Sequence, residues 1–329
     1  MKPFAFFEPE TLDAALAALA ASDGSARVLA GGTDLLGQLK EGTAAYAALV
    51  SLGALDGLRR VDRLPDGGLQ IGALVTLAQL ELSQELAGPY RILSEAARGV
   101  ATPEIRNQGT LGGNLCQRPR CLHYRHALVS CLKKGGDSCP AAESPYQDYL
   151  SVFGGPGCYA VHASDLAPAL IALGATAVLR GPDGVREVGL ESFFVGPDPD
   201  PARETALRPE EVLTHVRLPV ISQAWRGAYS KARERTAGDF PIVSLALGFE
   251  LQEGRIRNAR AVLGGAAPTP LRARQAEAIL EGAEPTEEAG ARAAAAALAG
   301  AQPLSHNAFK LDLARALFAR GVPRVAALG

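Results

Sequence analysis

Apolar and polar positions in this chain switch between a period of two and a period near 3.6, and the switches mark its elements. Residues 3–60 read as alternating strand and helix. Phe4 to Phe7 is aromatic and extended, and Thr11-Leu12-Asp13 caps an alanine- and leucine-rich helix that ends near Ala21. Arg27 to Ala30 is a short buried strand broken by Gly31-Gly32, and Ala47 to Leu52 and Leu69 to Ala73 are further strands. Helices run from Leu77 to Ser83 and from Tyr90 to Arg98. Between residues 116 and 158 the periodicity fades and turn formers multiply. A loop of that length inside a compact domain is unusual unless it is functional. Regular pattern returns where Ser164-Asp165 caps a helix from Leu166 to Leu173, followed by a strand from Ala175 to Arg180 and a hairpin turn at Asp183-Gly184.

Near residue 220 the order changes. Tyr229 to Arg235, Ile242 to Leu251 and Ile256 to Leu263 form an antiparallel meander with a turn at Glu253-Gly254. Three helices follow, Arg272 to Glu281, Thr286 to Leu298 and Asn307 to Arg320. Strands followed by helices predict an α+β unit.

Composition narrows the class. The 329 residues are 47% apolar and 21% charged, enough for two or three domains with real cores. A net charge of −2 with both signs interspersed points to neither nucleic acid nor a membrane as partner. No apolar run approaches the roughly 20 residues of a spanning helix. The apolar start is cut short by Glu8-Pro9-Glu10, too early for a signal peptide, so a cytoplasmic chain is expected.

Two glycine turns and a cysteine cluster carry the candidate chemistry. Leu29-Ala30-Gly31-Gly32-Thr33-Asp34-Leu35-Leu36 is a strand that breaks into glycines and resumes as an apolar segment. Gly109-Thr110-Leu111-Gly112-Gly113-Asn114 repeats that chemistry about 80 residues later. Glycine lets backbone N–H groups approach a phosphate, and two such turns suit a pyrophosphate held from both sides. Neither fits G-x-G-x-x-G or a P-loop, and two tight turns without a ligand are the plain alternative. All five cysteines follow directly, between Cys116 and Cys158. The odd count argues against a paired disulfide framework. Metal ligands, free core thiols and disulfides stay open on composition alone.

At these residues the chain resembles a family. Ala101-Thr102-Pro103-Glu104-Ile105-Arg106-Asn107-Gln108 with Gly109 to Asn114 is similar to the second flavin motif of FAD subunits in xanthine dehydrogenase-type molybdenum hydroxylases, and Leu29 to Leu36 to their first. His162-Ala163-Ser164-Asp165-Leu166-Ala167 resembles a third, and Leu263-Gly264-Gly265-Ala266-Ala267-Pro268-Thr269-Pro270 the signature of their C-terminal domain. Four motifs in order cover nearly the whole chain. The resemblance implies an α+β architecture. A two-lobed vanillyl-alcohol-oxidase-type (PCMH) FAD-binding domain spans 1–220, with lobes of about 1–55 and 56–220. A CO-dehydrogenase-flavoprotein-type α+β domain then spans 221–329. By position it implies that Leu29 to Leu36, Thr102, Gly109, Thr110, Gly112, Gly113 and Asn114 hold FAD, with the pyrophosphate between the turns. Asp165 is expected towards the adenosine end, and Leu213 and Lys231 near the flavin. Read without the resemblance, Lys231, Arg233 and Arg235 are a solvated strand edge.

Most flavin subunits of this family lack the cysteine segment. A subset similar to 4-hydroxybenzoyl-CoA reductase and bacterial aldehyde oxidoreductases carries a [4Fe–4S] cluster there. Cys121, Cys131, Cys139 and Cys158 match that pattern, with 9, 7 and 18 residues between them, and leave Cys116 spare. Four thiolates are what such a cluster requires, and the cations Arg118, Arg120, Arg125, Lys133 and Lys134 face one local acid, Asp137. Zinc is the chemical rival, although structural zinc favours closer cysteine pairs than Cys116 and Cys121, and His123 and His126, which could be ligands at i, i+3, read better as surface groups or groups behind the ligands. The function implied is electron transfer. Partner chains, a molybdopterin-binding large subunit and a small [2Fe–2S] subunit, would exchange electrons with this FAD, which meets an external acceptor. A partner's signal would carry the complex to the periplasm in the alternative localisation. A stand-alone flavin oxidase and a metal-stapled redox sensor are the rival functions. The first often attaches FAD through a histidine near the first turn, and the first histidine here is His123.

Overall fold

A computed structural model describes residues 1–154, 157–236 and 238–328. The first segment is a parallel three-stranded sheet, Ala5–Phe7 (β1), Ala26–Leu29 (β2) and Ala48–Ser51 (β3), in the order β1-β3-β2. Parallel neighbours need crossovers, and two helices supply them: Leu12–Ala20 (α1) and Leu35–Glu41 (α2). Thr11 caps α1 by accepting from the Ala14 N–H, and Ala15, Leu16 and Leu19 turn inward. The sequence pattern foresaw α1 but read α2 only as an apolar segment.

The second sheet is antiparallel and five-stranded. Its strands are Val61–Arg63 (β4), Leu69–Gly72 (β5), Thr176–Gly181 (β6), Gly184–Gly189 (β7) and Val212–Leu218 (β8), in the order β4-β5-β8-β6-β7. Helices Leu77–Leu82 (α3), Arg91–Arg98 (α4), Pro103–Gln108 (α5) and Leu111–Leu115 (α6) precede the cysteine segment, whose regular pieces are Leu122–Arg125 (α7) and short 3₁₀ turns. Leu166–Ala172 (α8) follows with every residue buried, and Leu190–Phe193 (α9) closes the β7 edge.

A third, antiparallel sheet runs β12-β11-β10-β9, from Arg226–Ala232 (β9), Val243–Gln252 (β10), Arg255–Gly264 (β11) and Leu271–Arg272 (β12). Glu253 and Gly254 both have positive φ, as a two-residue hairpin of this hand requires. Helices Arg274–Leu280 (α10), Glu287–Ala297 (α11) and Phe309–Ala326 (α12) cover one face. Strand alternation sends Leu245, Leu247, Ala261 and Leu263 to those helices, while Ala246 and Val262 join the core that contains α4 and α8. The third sheet is therefore sandwiched, and the C-terminal unit shares a core with the rest. Two expectations shift here. β9 ends at Ala232 rather than Arg235, and α12 continues past Arg320 through Pro323, because Val322 and Val325 are fully buried on the sheet side. Among the described residues no helix is long and apolar enough to cross a membrane.

Candidate functional site

The two glycine turns meet backbone to backbone. β2 breaks at Gly31-Gly32 before α2, and a side-chain carbon built on Gly31 would fall 1.9 Å from the Gln108 carbonyl oxygen. Only glycine admits that approach. Gly32 holds φ +72°, and Leu29 and Leu36 pack behind it. The second turn is knitted to the segment after β5. Leu111 N–H donates to Val75 O at 2.9 Å, Gly112 N–H to Ala73 O at 2.8 Å and Leu77 N–H to Gly109 O at 2.9 Å. Thr110 caps α6 by accepting from the Gly113 N–H at 3.2 Å.

Between the turns opens a cleft lined by both of them. Ala30, Gly31, Gly32, Thr33, Asp34 and Leu35 line one side, Thr110, Gly112 and Gly113 the other, and Leu213 of β8 its floor. A wall of glycine backbone of this kind fits a dinucleotide pyrophosphate. Arg27, Arg118 and Arg208 bring cations that no glycine motif signalled, and Tyr46, Leu207 and Cys116 also reach it. Arg27 and Val28 were within reach of sequence reasoning, since they lead β2 into the turn. Leu207 to Pro209 carry no pattern that marks them.

Other expected FAD residues stand outside the lining. Leu29, Leu36 and Gly109 shape the turns from behind, and Thr102 caps α5 by position without a side-chain cap bond. Asn114 is buried and its Oδ1 accepts from Ser164 Oγ, which itself accepts from the Ala167 N–H at 3.0 Å. Asp165 and Lys231 lie against each other, Nζ to Oδ2 at 2.8 Å, with Tyr229 Oη donating to the same carboxylate and Lys231 also donating to Gly99 O at 2.9 Å. Burial pushes the Asp165 carboxyl up, against the pull of Lys231. Two residues expected at opposite ends of a dinucleotide thus share one place. Lys231 is no solvated strand edge either, being 5% exposed.

The cysteine loop is fastened by charges from elsewhere. Asp34 lies 3.0 Å from Arg120 Nη2 and 2.6 Å from Arg125 Nη2, and Glu204 takes Arg118 Nε at 3.0 Å and Lys133 Nζ at 2.8 Å. The cations expected to offset a cluster's charge are therefore already paired with carboxylates remote in sequence. Lys134 instead donates to the carbonyls of His123 and His126. All five thiols are free, which removes the disulfide alternative. Burial raises the Cys121 thiol, with Cys139 and Cys131 adding to the rise, and pushes Cys158 up to about 11, with Cys139 and Cys121 contributing. Cys116 is pushed up to about 11 by burial and feels Arg27 instead. The four expected ligands are thus electrostatic neighbours and Cys116 is not. Among the described residues no three His, Cys, Asp or Glu side chains converge in a metal-holding group.

Comparison with known proteins bears on this cleft. Residues 2–221 match the family model described as FAD binding domain in molybdopterin dehydrogenase, and residues 227–325 the CO dehydrogenase flavoprotein C-terminal domain. The aldehyde oxidoreductase FAD-binding subunit PaoB of Escherichia coli (strain K12) is 34% identical over 88% of each chain. The carbon monoxide dehydrogenase medium chain of Hydrogenophaga pseudoflava is 27% identical over 91% of this chain and 88% of that one. A solved carbon monoxide dehydrogenase from that organism superposes with TM-score 0.79 at 28% identity, covering 99% of both chains. Quinoline 2-oxidoreductase from Pseudomonas putida 86 does so with TM-score 0.78 at 26% identity, covering 99% of this chain and 98% of that one. With both family models matched in order, this chain belongs to the FAD-binding family of the molybdopterin dehydrogenases.

Proposed function

We propose that this chain is the FAD-carrying electron-transfer subunit of a molybdenum hydroxylase acting on aldehydes, with a [4Fe–4S] cluster on Cys121, Cys131, Cys139 and Cys158. The observation that carries the reading is the pair of glycine turns packed backbone to backbone across one cleft. Identity of 34% to a relative named as an aldehyde oxidoreductase subunit supports the substrate class. Substrate would meet a molybdopterin-binding partner chain, a small [2Fe–2S] chain would lie between, and an external acceptor would take the electrons. Bound FAD supplies the redox centre at which electrons from the partner chains reach that acceptor. The chain's own residues bind and orient it. Gly31, Gly32, Gly112 and Gly113 admit the pyrophosphate to the backbone, Arg27, Arg118 and Arg208 offset its charge, and Leu213 excludes water. Asn114 ties the second turn to Ser164, while Asp165 and Lys231 tie α8 to β9 and to the Gly99 carbonyl.

The mutual proximity of Cys121, Cys131, Cys139 and Cys158, and a spare Cys116 that faces the cleft, support the ligand set. Family membership favours this reading over a metal-stapled sensor, which needs neither turn. The test is the visible spectrum and iron content of the purified chain after anaerobic reconstitution. Flavin bands over a broad iron–sulfur shoulder are expected, and a colourless protein sinks the proposal. Cys131→Ser should lose most of the iron while Cys116→Ser keeps it; equal iron in both would refute the ligand assignment.

A further inference from the structure

Asp34 stands at the N-cap of α2 yet makes no cap bond to its own helix. Its carboxylate is turned towards the cysteine loop instead. Oδ2 accepts from the Arg118 backbone N–H at 2.9 Å and from Gln38 Nε2 at 2.8 Å, and Oδ1 takes Arg120 and Arg125. One helical turn on, Gln38 Oε1 accepts from Tyr124 Oη at 3.1 Å, and the guanidinium groups of Arg118 and Arg125 lie 5.1 and 5.5 Å from that ring. Asp34 and Arg118 also line the cleft. The same two residues therefore belong to the wall of the dinucleotide site and to the anchor of the loop. Few apolar side chains inside the loop are buried, Tyr124, Ala141 and Leu150 among them. Its order depends on such anchors and on whatever its thiols hold.

We propose that Asp34 is a positioning residue that couples the two sites, so that filling the four-cysteine site tightens FAD binding and FAD in turn favours cluster retention. This rests on the cluster reading above. The physical basis is shared ordering. A cluster on the thiols fixes the loop, which holds Arg118 and Arg125 on Asp34 and leaves the cleft wall formed before FAD arrives. Coupling of this kind is reciprocal and typically amounts to ~5- to 150-fold in affinity.

The test is a thermodynamic cycle on the full chain. FAD is titrated into the flavin-free protein, followed by flavin fluorescence, for the iron-loaded wild type and for cluster-free Cys131→Ser. Both titrations are repeated with Asp34→Asn. Roughly tenfold weaker FAD binding without the cluster is expected in the wild-type background, shrinking below about twofold with Asp34→Asn. An equal ratio in both backgrounds, or no ratio in the wild type, overturns the coupling, because a merely structural anchor would shift both affinities alike. Arg125→Gln makes the same test from the loop side if Asp34→Asn fails to fold, and an unaltered ratio there overturns it too. A wild-type chain that takes up no iron overturns the cluster reading and the coupling together, whereas iron uptake with an unaltered ratio overturns the coupling alone.

Discussion

The cleft between the glycine turns and the cysteine loop adjoin, yet they are built by opposite means. The cleft is backbone against backbone, with Gly31 on the Gln108 carbonyl and Gly112 on Ala73, over a floor of buried apolar residues. The loop is held by polar side chains from other parts of the chain. Its first limb hangs on Asp34 and Glu204 through ion pairs. Its second limb is held by Lys310 of α12, whose Nζ donates to Leu150 O and Gly265 O, both at 2.7 Å, and by Asn307, which donates to Leu150 O and Ser151 O. Val152 N–H adds a bond to Ala266 O in the turn that resembles the C-terminal signature. A backbone cradle tolerates no side chain, whereas a loop without its own core tolerates change in its sequence but not in its anchors.

Substitutions can break that contrast. The largest effect is expected at Gly31. Alanine there would place Cβ 1.9 Å from a backbone oxygen that cannot swing away, so Gly31→Ala should lose most of its FAD, read as the flavin-to-protein absorbance ratio. Full flavin occupancy would show that the turns need not touch.

At Lys310 the loss should be smaller and fall on stability. Lys310→Met removes the donor from two buried carbonyls and should cost roughly 2–4 kcal/mol in urea unfolding near neutral pH. The same residue predicts a pH dependence. Burial lowers Lys310 to about 7 from its ordinary 10.5. Below about 7 folded and unfolded chains both carry the proton, and the cost of a buried charge is fully present. Between about 7 and 10.5 the unfolded chain keeps a proton that the folded chain has released, so stability rises with pH across that window. The neutral amine still has two hydrogens for two carbonyls. Wild type should therefore gain on Lys310→Met as pH climbs from 7 to 10, and a flat difference would remove Lys310 as the cause.

The smallest effect is expected at Gly37, inside α2 and only six residues from Gly31. Nothing lies within 4 Å of its missing Cβ, so Gly37→Ala should stabilise by roughly 0.5–1 kcal/mol and leave FAD binding unchanged. Weakened flavin binding there would mean that the segment, and not the close approach, is what the cleft requires.

Much of this was legible in the chain. The apolar run from Ile242 to Leu251 announced a strand of an antiparallel meander, and Thr11 and Thr286 marked helix starts. The family resemblance rested on four motifs, and both family models bear it out. Less legible were α2 and β8. α2 spans only seven residues, with Gly37 inside it, and the loop before β8 carries the turn formers Gly196, Pro197, Pro199, Pro201 and Pro209, which mark turns but not where the strand starts. The loop's cations looked unpaired because only Asp137 is near them in sequence, whereas Asp34 and Glu204 reach them from about 90 residues before and 70 after.

What the sequence alone determined is local: where glycine must stand, where helices start, and that five thiols crowd one stretch. Those depend on φ, capping and spacing, which neighbours along the chain set. Tertiary structure decided the pairings: Gly31 against Gln108, Asp165 with Lys231, Asp34 with three arginines, Lys310 under two carbonyls. A charge or a buried donor is satisfied by whatever folding brings within about 3 Å, and distance along the chain carries no record of it.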